Sequence, residues 1–186
     1  MNIKLQTTNY KLPTGFTLVE TLIAVVIMTL AVSGPLYTAN RAIVAAEVSR
    51  DQLIASYLAQ EGIEHVRSMR DNEYLAVYNQ PSASTVAWTR FLAQASIGKC
   101  VAPAVCTFDP AGSGTVQACS GACRPLYLSA KKVYTQTSGG TITPFTRTIQ
   151  ATAVTASDEQ ITSRVTWSFK GSQYSVTIVE HLTPWQ

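Results

Sequence analysis

The residues able to do chemistry in this chain are few and unevenly placed. Four cysteines, Cys100, Cys106, Cys119 and Cys123, fall in one window, and two histidines, His65 and His181, lie far apart. A single carboxylate, Glu20, is the only charged side chain in an apolar run from Phe16 to Tyr37. An even number of clustered cysteines in an exported protein reads as two disulfides. Their C-x5-C…C-x3-C spacing is poor for structural zinc. His65 has Glu61 and Glu64 beside it but no further ligand or nucleophile, so packing at a helix margin is its expected role. His181 lies near a terminal strand with no catalytic context. The chain contains no G-x-S-x-G or H-E-x-x-H motif, no phosphate loop and no dinucleotide fingerprint. Neither an enzymatic activity nor a cofactor is expected.

Glu20 is therefore the residue that demands a partner. The run from Phe16 to Tyr37 is about 22 residues, roughly 33 Å as a helix, which matches a bilayer's hydrocarbon layer. An unpaired acid at that depth costs ~2.5–3.5 kcal/mol on insertion scales. Two simpler readings of the run leave the acid unexplained. Ala31-Val32-Ser33-Gly34-Pro35 can mimic a signal-peptidase site, and the run can equally be a permanent single-pass anchor.

Gly15-Phe16-Thr17-Leu18-Val19-Glu20, with Lys4 and Lys11 before it and the apolar run after it, resembles the type IV prepilin signal. That family comprises pilins, minor pilins and type II secretion pseudopilins. The resemblance covers about 20 residues and implies cleavage by a prepilin peptidase between Gly15 and Phe16, then N-methylation of the new Phe16 amine. It also implies that the Glu20 of one subunit meets the Phe16 ammonium of another in the filament core. Each charge alone is costly in a low-dielectric bundle, whereas the pair is tolerable and sensitive to register. Gln60-Glu61-Gly62-Ile63-Glu64-His65-Val66-Arg67 further resembles PilV-like and GspI-like minor subunits.

Beyond the run, Gly34-Pro35 predicts a kink rather than a stop, since periodicity resumes at once. Ile43, Val44, Val48, Ile54, Ala55, Leu58, Gly62, Val66 and Met69 share one broad helical face. Arg50, Gln60, Glu64, Arg67, Arg70 and Glu73 lie largely opposite, and Arg67 to Glu73 reads as a solvated helix end. Residues 74–125 are expected as an irregular connection in which Ala87 to Leu92 form a helical turn. If Asp109 to Gly114 close a hairpin, Cys106 faces Cys119 and Cys100 faces Cys123, and this nested pairing is favoured. Local pairing, Cys100–Cys106 with Cys119–Cys123, is the competitor, and spacing does not decide between them.

From Leu126 the period changes to two. Leu126–Tyr134, Ile142–Thr155, Gln160–Lys170 and Gln173–Leu182 read as four antiparallel strands. Ile161, Ser163, Val165, Trp167 and Phe169 form one face, which the amphipathic helix matches. Lys131, Lys132, Arg147, Arg164 and Lys170 read as a basic strip on the sheet. A solvated face explains them, and DNA capture is the alternative. A formal net charge of only +3 gives nucleic acid little general attraction.

The expectation is thus an α+β, pilin-like fold with a leader at 1–15, a membrane and filament-core helix at 16–37 and its amphipathic continuation at 38–73. A disulfide-bearing connection occupies 74–125 and a four-stranded sheet 126–186. The resemblance implies a structural, minor subunit of a type IV pilus-like filament, with a secretion pseudopilin as the alternative and an anchored surface-binding domain as a more distant one. Its partners would be other pilin or pseudopilin subunits, the prepilin peptidase and an inner-membrane assembly platform. The chain would sit first in the cytoplasmic membrane with its head exported, then in an extracellular or periplasmic filament.

Overall fold

A computed structural model describes residues 15, 17–93, 96–109 and 114–185. The chain divides after Ala46 into two compact units. The helix α1, Leu18–Leu75, runs from the first unit into the second without interruption. Among the described residues it is the one helix long and apolar enough to cross a membrane by length and composition. Pro35 lies inside it. A proline there has no N–H to donate to the preceding turn, and the hydroxyl of Thr38 instead donates to the carbonyls of Gly34 (3.3 Å) and Pro35 (2.9 Å). The helix passes through Gly34-Pro35, as the resumed periodicity predicts.

In the second unit, α1 packs on an antiparallel five-stranded sheet in the order β2-β1-β6-β7-β8. These strands are β1 (Cys106–Phe108), β2 (Val116–Ala118), β6 (Thr146–Thr155), β7 (Asp158–Phe169) and β8 (Ser172–Leu182). The predicted α+β class and its helix-on-sheet layering are present. The last three strands match the alternation in the sequence: Ile161, Ser163, Val165 and Trp167 are buried along β7 and their neighbours are not. On the helix, Ala55, Leu58, Ala59, Gly62, Ile63 and Val66 are buried, while Ile43, expected on the same face, is exposed. Each fully buried large side chain contributes roughly 1.5–3 kcal/mol by leaving water.

The predicted strand Leu126–Tyr134 is corrected. It is a short hairpin, β3 (Tyr127–Leu128) and β4 (Tyr134–Thr135), with β5 (Thr141–Ile142) on its other side, giving a separate three-stranded sheet. The reason is local. Lys132 turns the chain with φ 61° and donates its N–H to the Ser129 carbonyl at 2.9 Å. Pro144 then separates β5 from β6, because it cannot donate to a ladder. The expected irregular connection is also more ordered than its composition suggests. It carries α2 (Ala83–Leu92), a 3-10 turn (Ile97–Cys100) and the two strands that complete the main sheet. Trp88 and Phe91 of α2 are buried, as the aromatic turn predicts.

The nested disulfide pairing is corrected to the local one. Cys100 bonds Cys106 and Cys119 bonds Cys123, with Cα–Cα distances of 4.9 Å in both. The β1–β2 hairpin does form, but its register sets Cys106 opposite Ala118. Cys119 is one residue further along, which turns its side chain to the other side of the ladder. Cys106 then faces the core with Cys100, and Cys119 closes on its own loop.

Candidate functional site

Two places combine charge with an apolar setting: the start of α1, and the layer between α1 and β6. At the first, the hydroxyl of Thr17 accepts the Glu20 N–H at 3.3 Å, and the Thr17 carbonyl accepts the Thr21 N–H at 3.2 Å. Glu20 is therefore the third helical residue behind a threonine cap, where a carboxylate also favours the helix dipole. That signal was legible as Thr17-x-x-Glu20. Gly15 is exposed. Phe16, the expected site of cleavage and N-methylation, lies outside the described residues, as does the leader with Lys4 and Lys11.

Around this cap the helix is bare. Leu22, Ile23, Val25, Ile27 and Met28 are all exposed, on every side of the helix. Three hydroxyls in the run are nonetheless satisfied by the helix itself. Thr21 donates to the Leu18 carbonyl (2.9 Å), Thr29 to Val26 (2.8 Å) and Ser33 to Leu30 (3.1 Å). Such back-bonding removes the need for water. Among the described residues, no ion pair reaches the Glu20 carboxylate, which leaves it as the one charge in an otherwise self-satisfied apolar segment.

The second place contains Arg147, fully buried on the helix-facing side of β6 with Ile149 and Ala151. Its guanidinium donates to Glu61 Oε2 at 2.5 Å, to the Leu58 carbonyl at 3.2 Å and to the Phe108 carbonyl at 3.1 Å. It also lies 4.2 Å from the centroid of the Phe108 ring. Burial pushes the Arg147 pKa down, and Glu61 and Asp109 oppose that shift. His65, one helical turn from Glu61, stacks on Phe108 at 3.8 Å and holds its Nε2 2.9 Å from the Gly114 carbonyl. Burial lowers the His65 pKa, outweighing the Gly114 hydrogen bond. Packing at the helix margin, the role expected of His65, describes this geometry.

The predicted basic strip is corrected at its centre. Arg147 faces the helix and not solvent, because it occupies an inward position of the β6 alternation. Lys131 and Lys132 lie on the β3–β4 turn of the smaller sheet, while Arg164 and Lys170 belong to the main one. The solvated helix end is likewise a clasp. Arg67 pairs with Glu180 of β8, Arg70 donates to the Thr183 carbonyl at 3.3 Å, and Trp185 Nε1 donates to Asp71 at 3.1 Å. His181 pairs with Asp158 at 2.9 Å on the exposed side of β7 and β8. Among the described residues no cluster of His, Cys, Asp and Glu is arranged to hold a metal ion.

No protein-family model, curated protein or solved structure matches this chain. Function therefore rests on its own residues.

Proposed function

We propose that this chain is a structural subunit, and a minor one, of a type IV pilus-like filament, assembled through its N-terminal helix. The observation that carries the reading is Glu20: one carboxylate on an exposed apolar helix whose Thr21, Thr29 and Ser33 hydroxyls bond their own backbone. Glu20 is the one charged side chain of that segment, and an apolar surround penalises it most. A neighbouring subunit's Phe16 ammonium would supply the missing charge and make the axial register of assembly selective. The Gly15-Phe16 junction before the run supports cleavage by a prepilin peptidase with retention of the helix. The head built on the rest of α1 would then be exported on its stem after extraction from an inner-membrane platform.

The test is intact-mass and N-terminal analysis of the exported protein, followed by recovery of Glu20→Ala in sheared fibres. The expected mature chain starts at a methylated Phe16, and the variant is processed normally but depleted from fibres. A chain starting elsewhere, or full incorporation of the variant, would overturn the reading.

A further inference from the structure

The head carries a polar pocket that the proposed assembly role does not use. It has a volume of about 350 Å³ and opens beside the β1–β2 edge of the main sheet. The cross-strand pair Thr107 and Gln117 lines it. Gln136, which follows β4, forms one wall and donates its amide to the Thr107 hydroxyl at 3.0 Å. The Cys119–Cys123 loop, with Ser120 and the adjoining Arg124, completes the lining.

The pocket's chemistry is one-sided. Its lining offers hydroxyls, carboxamides and one guanidinium, and no carboxylate belongs to it. Asp109, just beyond β1, is taken up elsewhere: it accepts the Thr135 hydroxyl (2.6 Å) and both the N–H (3.1 Å) and hydroxyl (2.7 Å) of Thr137. Among the described residues no side chain neutralises Arg124, which is exposed at the rim.

The disulfides brace this lining. Bridges with sequence separations of 6 and 4 close only short loops, so their loop-closure contribution is small. Their larger effect is positional. Cys100–Cys106 fixes the start of β1, and Cys119–Cys123 fixes the loop carrying Arg124. The Cys119 N–H donates to the Val105 carbonyl at 3.0 Å, joining the two. A rigid pocket wastes little free energy on ordering when it binds.

We infer that this pocket binds a small polar ligand bearing an oxyanion, with Arg124 taking the carboxylate, sulfate or phosphate group and the Gln117 and Gln136 amides taking flanking hydroxyls. A guanidinium fork suits a planar carboxylate, and neutral donor–acceptor amides suit hydroxyls on either side of it. The inference is independent of how the chain is anchored or assembled.

The experiment titrates the full chain in detergent micelles with glucuronate, glucose and acetate, followed by amide chemical shifts. Glucuronate should give saturable shifts at Thr107, Gln117, Ser120 and Gln136, with glucose and acetate weaker. Arg124→Gln should lower glucuronate affinity about tenfold. Lys131→Gln with Lys132→Gln should leave it unchanged, since neither lysine lines the pocket. Glucose binding as well as glucuronate, an unchanged affinity in Arg124→Gln, or no saturable shift up to about 10 mM would each overturn the assignment. Inorganic phosphate, added as competitor, should displace glucuronate only in large excess, and full displacement at equal concentration would overturn the role given to the Gln117 and Gln136 amides.

Discussion

Glu20 and Arg147 are each a single charge set in an apolar pattern, and the two units of the chain treat them differently. Arg147 finds partners for both terminal nitrogens of its guanidinium within its own unit: a carboxylate on α1, two backbone carbonyls and an aromatic face. Only its buried Nε is left without a hydrogen bond among the described residues. Glu20 has a threonine cap on its backbone, while no ion pair meets its carboxylate among the described residues. A charge buried by the fold must be satisfied by the fold, because an unpaired one costs several kcal/mol. A charge on an exposed helix carries no such demand until something covers that helix. The difference separates a residue that serves folding from one available for assembly.

The comparison breaks most readily at Arg147. Arg147→Ala removes three hydrogen bonds and leaves Glu61 without its partner, so the head should lose ~3–5 kcal/mol in chemical denaturation. A loss below about 1 kcal/mol would show that the buried pair contributes nothing to the fold. The double variant Arg147→Met with Glu61→Gln should recover most of the stability, as apolar replacement of a buried pair often does.

Gly62 tests the next largest effect, the close approach of α1 to the sheet. A Cβ there would stand 2.3 Å from Ser163 Oγ and 3.0 Å from Ile149 Cδ1. Gly62→Ala should therefore destabilise by ~1–3 kcal/mol despite its better helix propensity. Adding Ser163→Ala removes the nearest atom, a buried hydroxyl without a partner among the described residues, and should restore part of the loss. If the double variant is no more stable than Gly62→Ala alone, the hydroxyl is not what limits the approach.

His65 should make the head mildly acid-sensitive. Its folded pKa lies below the ordinary 6.5, so neutral His65 contributes stability that is complete above that value. The contribution is lost as pH falls from 6.5 through the lowered folded value. The groups acting on the ring are Arg147 from β6, which lowers its pKa further, and Glu61 from its own helix, which raises it. His65→Phe keeps a ring against Phe108 and should flatten the fall in melting temperature between about pH 7 and 5. An unchanged slope would move the acid sensitivity to another group.

The smallest stability effect belongs to Glu20. Glu20→Ala should leave the head's melting within about 0.5 kcal/mol of the parent, as expected of an exposed site remote from any core. A clear loss would mean that the acid serves the fold after all, and the contrast with Arg147 would disappear.

Much of the fold was legible because its signals are local. The unbroken apolar run, the 3.6-residue period from Ala55 to Val66 and the alternation along β7 each need only neighbours in sequence. The Thr17-x-x-Glu20 cap and the inward position of Arg147 were equally local. They were harder to weigh, since an acid in an apolar run and an arginine among threonines both suggest roles outside the molecule. The polar pocket had no local signal, since its lining comes from β1, β2, a disulfide loop and the segment after β4.

By itself the sequence determined one long helix, apolar first and amphipathic later, followed by an alternating β region and a clustered set of four cysteines. Tertiary structure alone decided which cysteines met, because a one-residue offset in β1–β2 register turns Cys119 away from Cys106. It alone joined Arg147 to Glu61, residues 86 positions apart in the chain. Periodicity reports which way a side chain points. What it meets there depends on packing between distant segments, and that is where the head's charges found their partners.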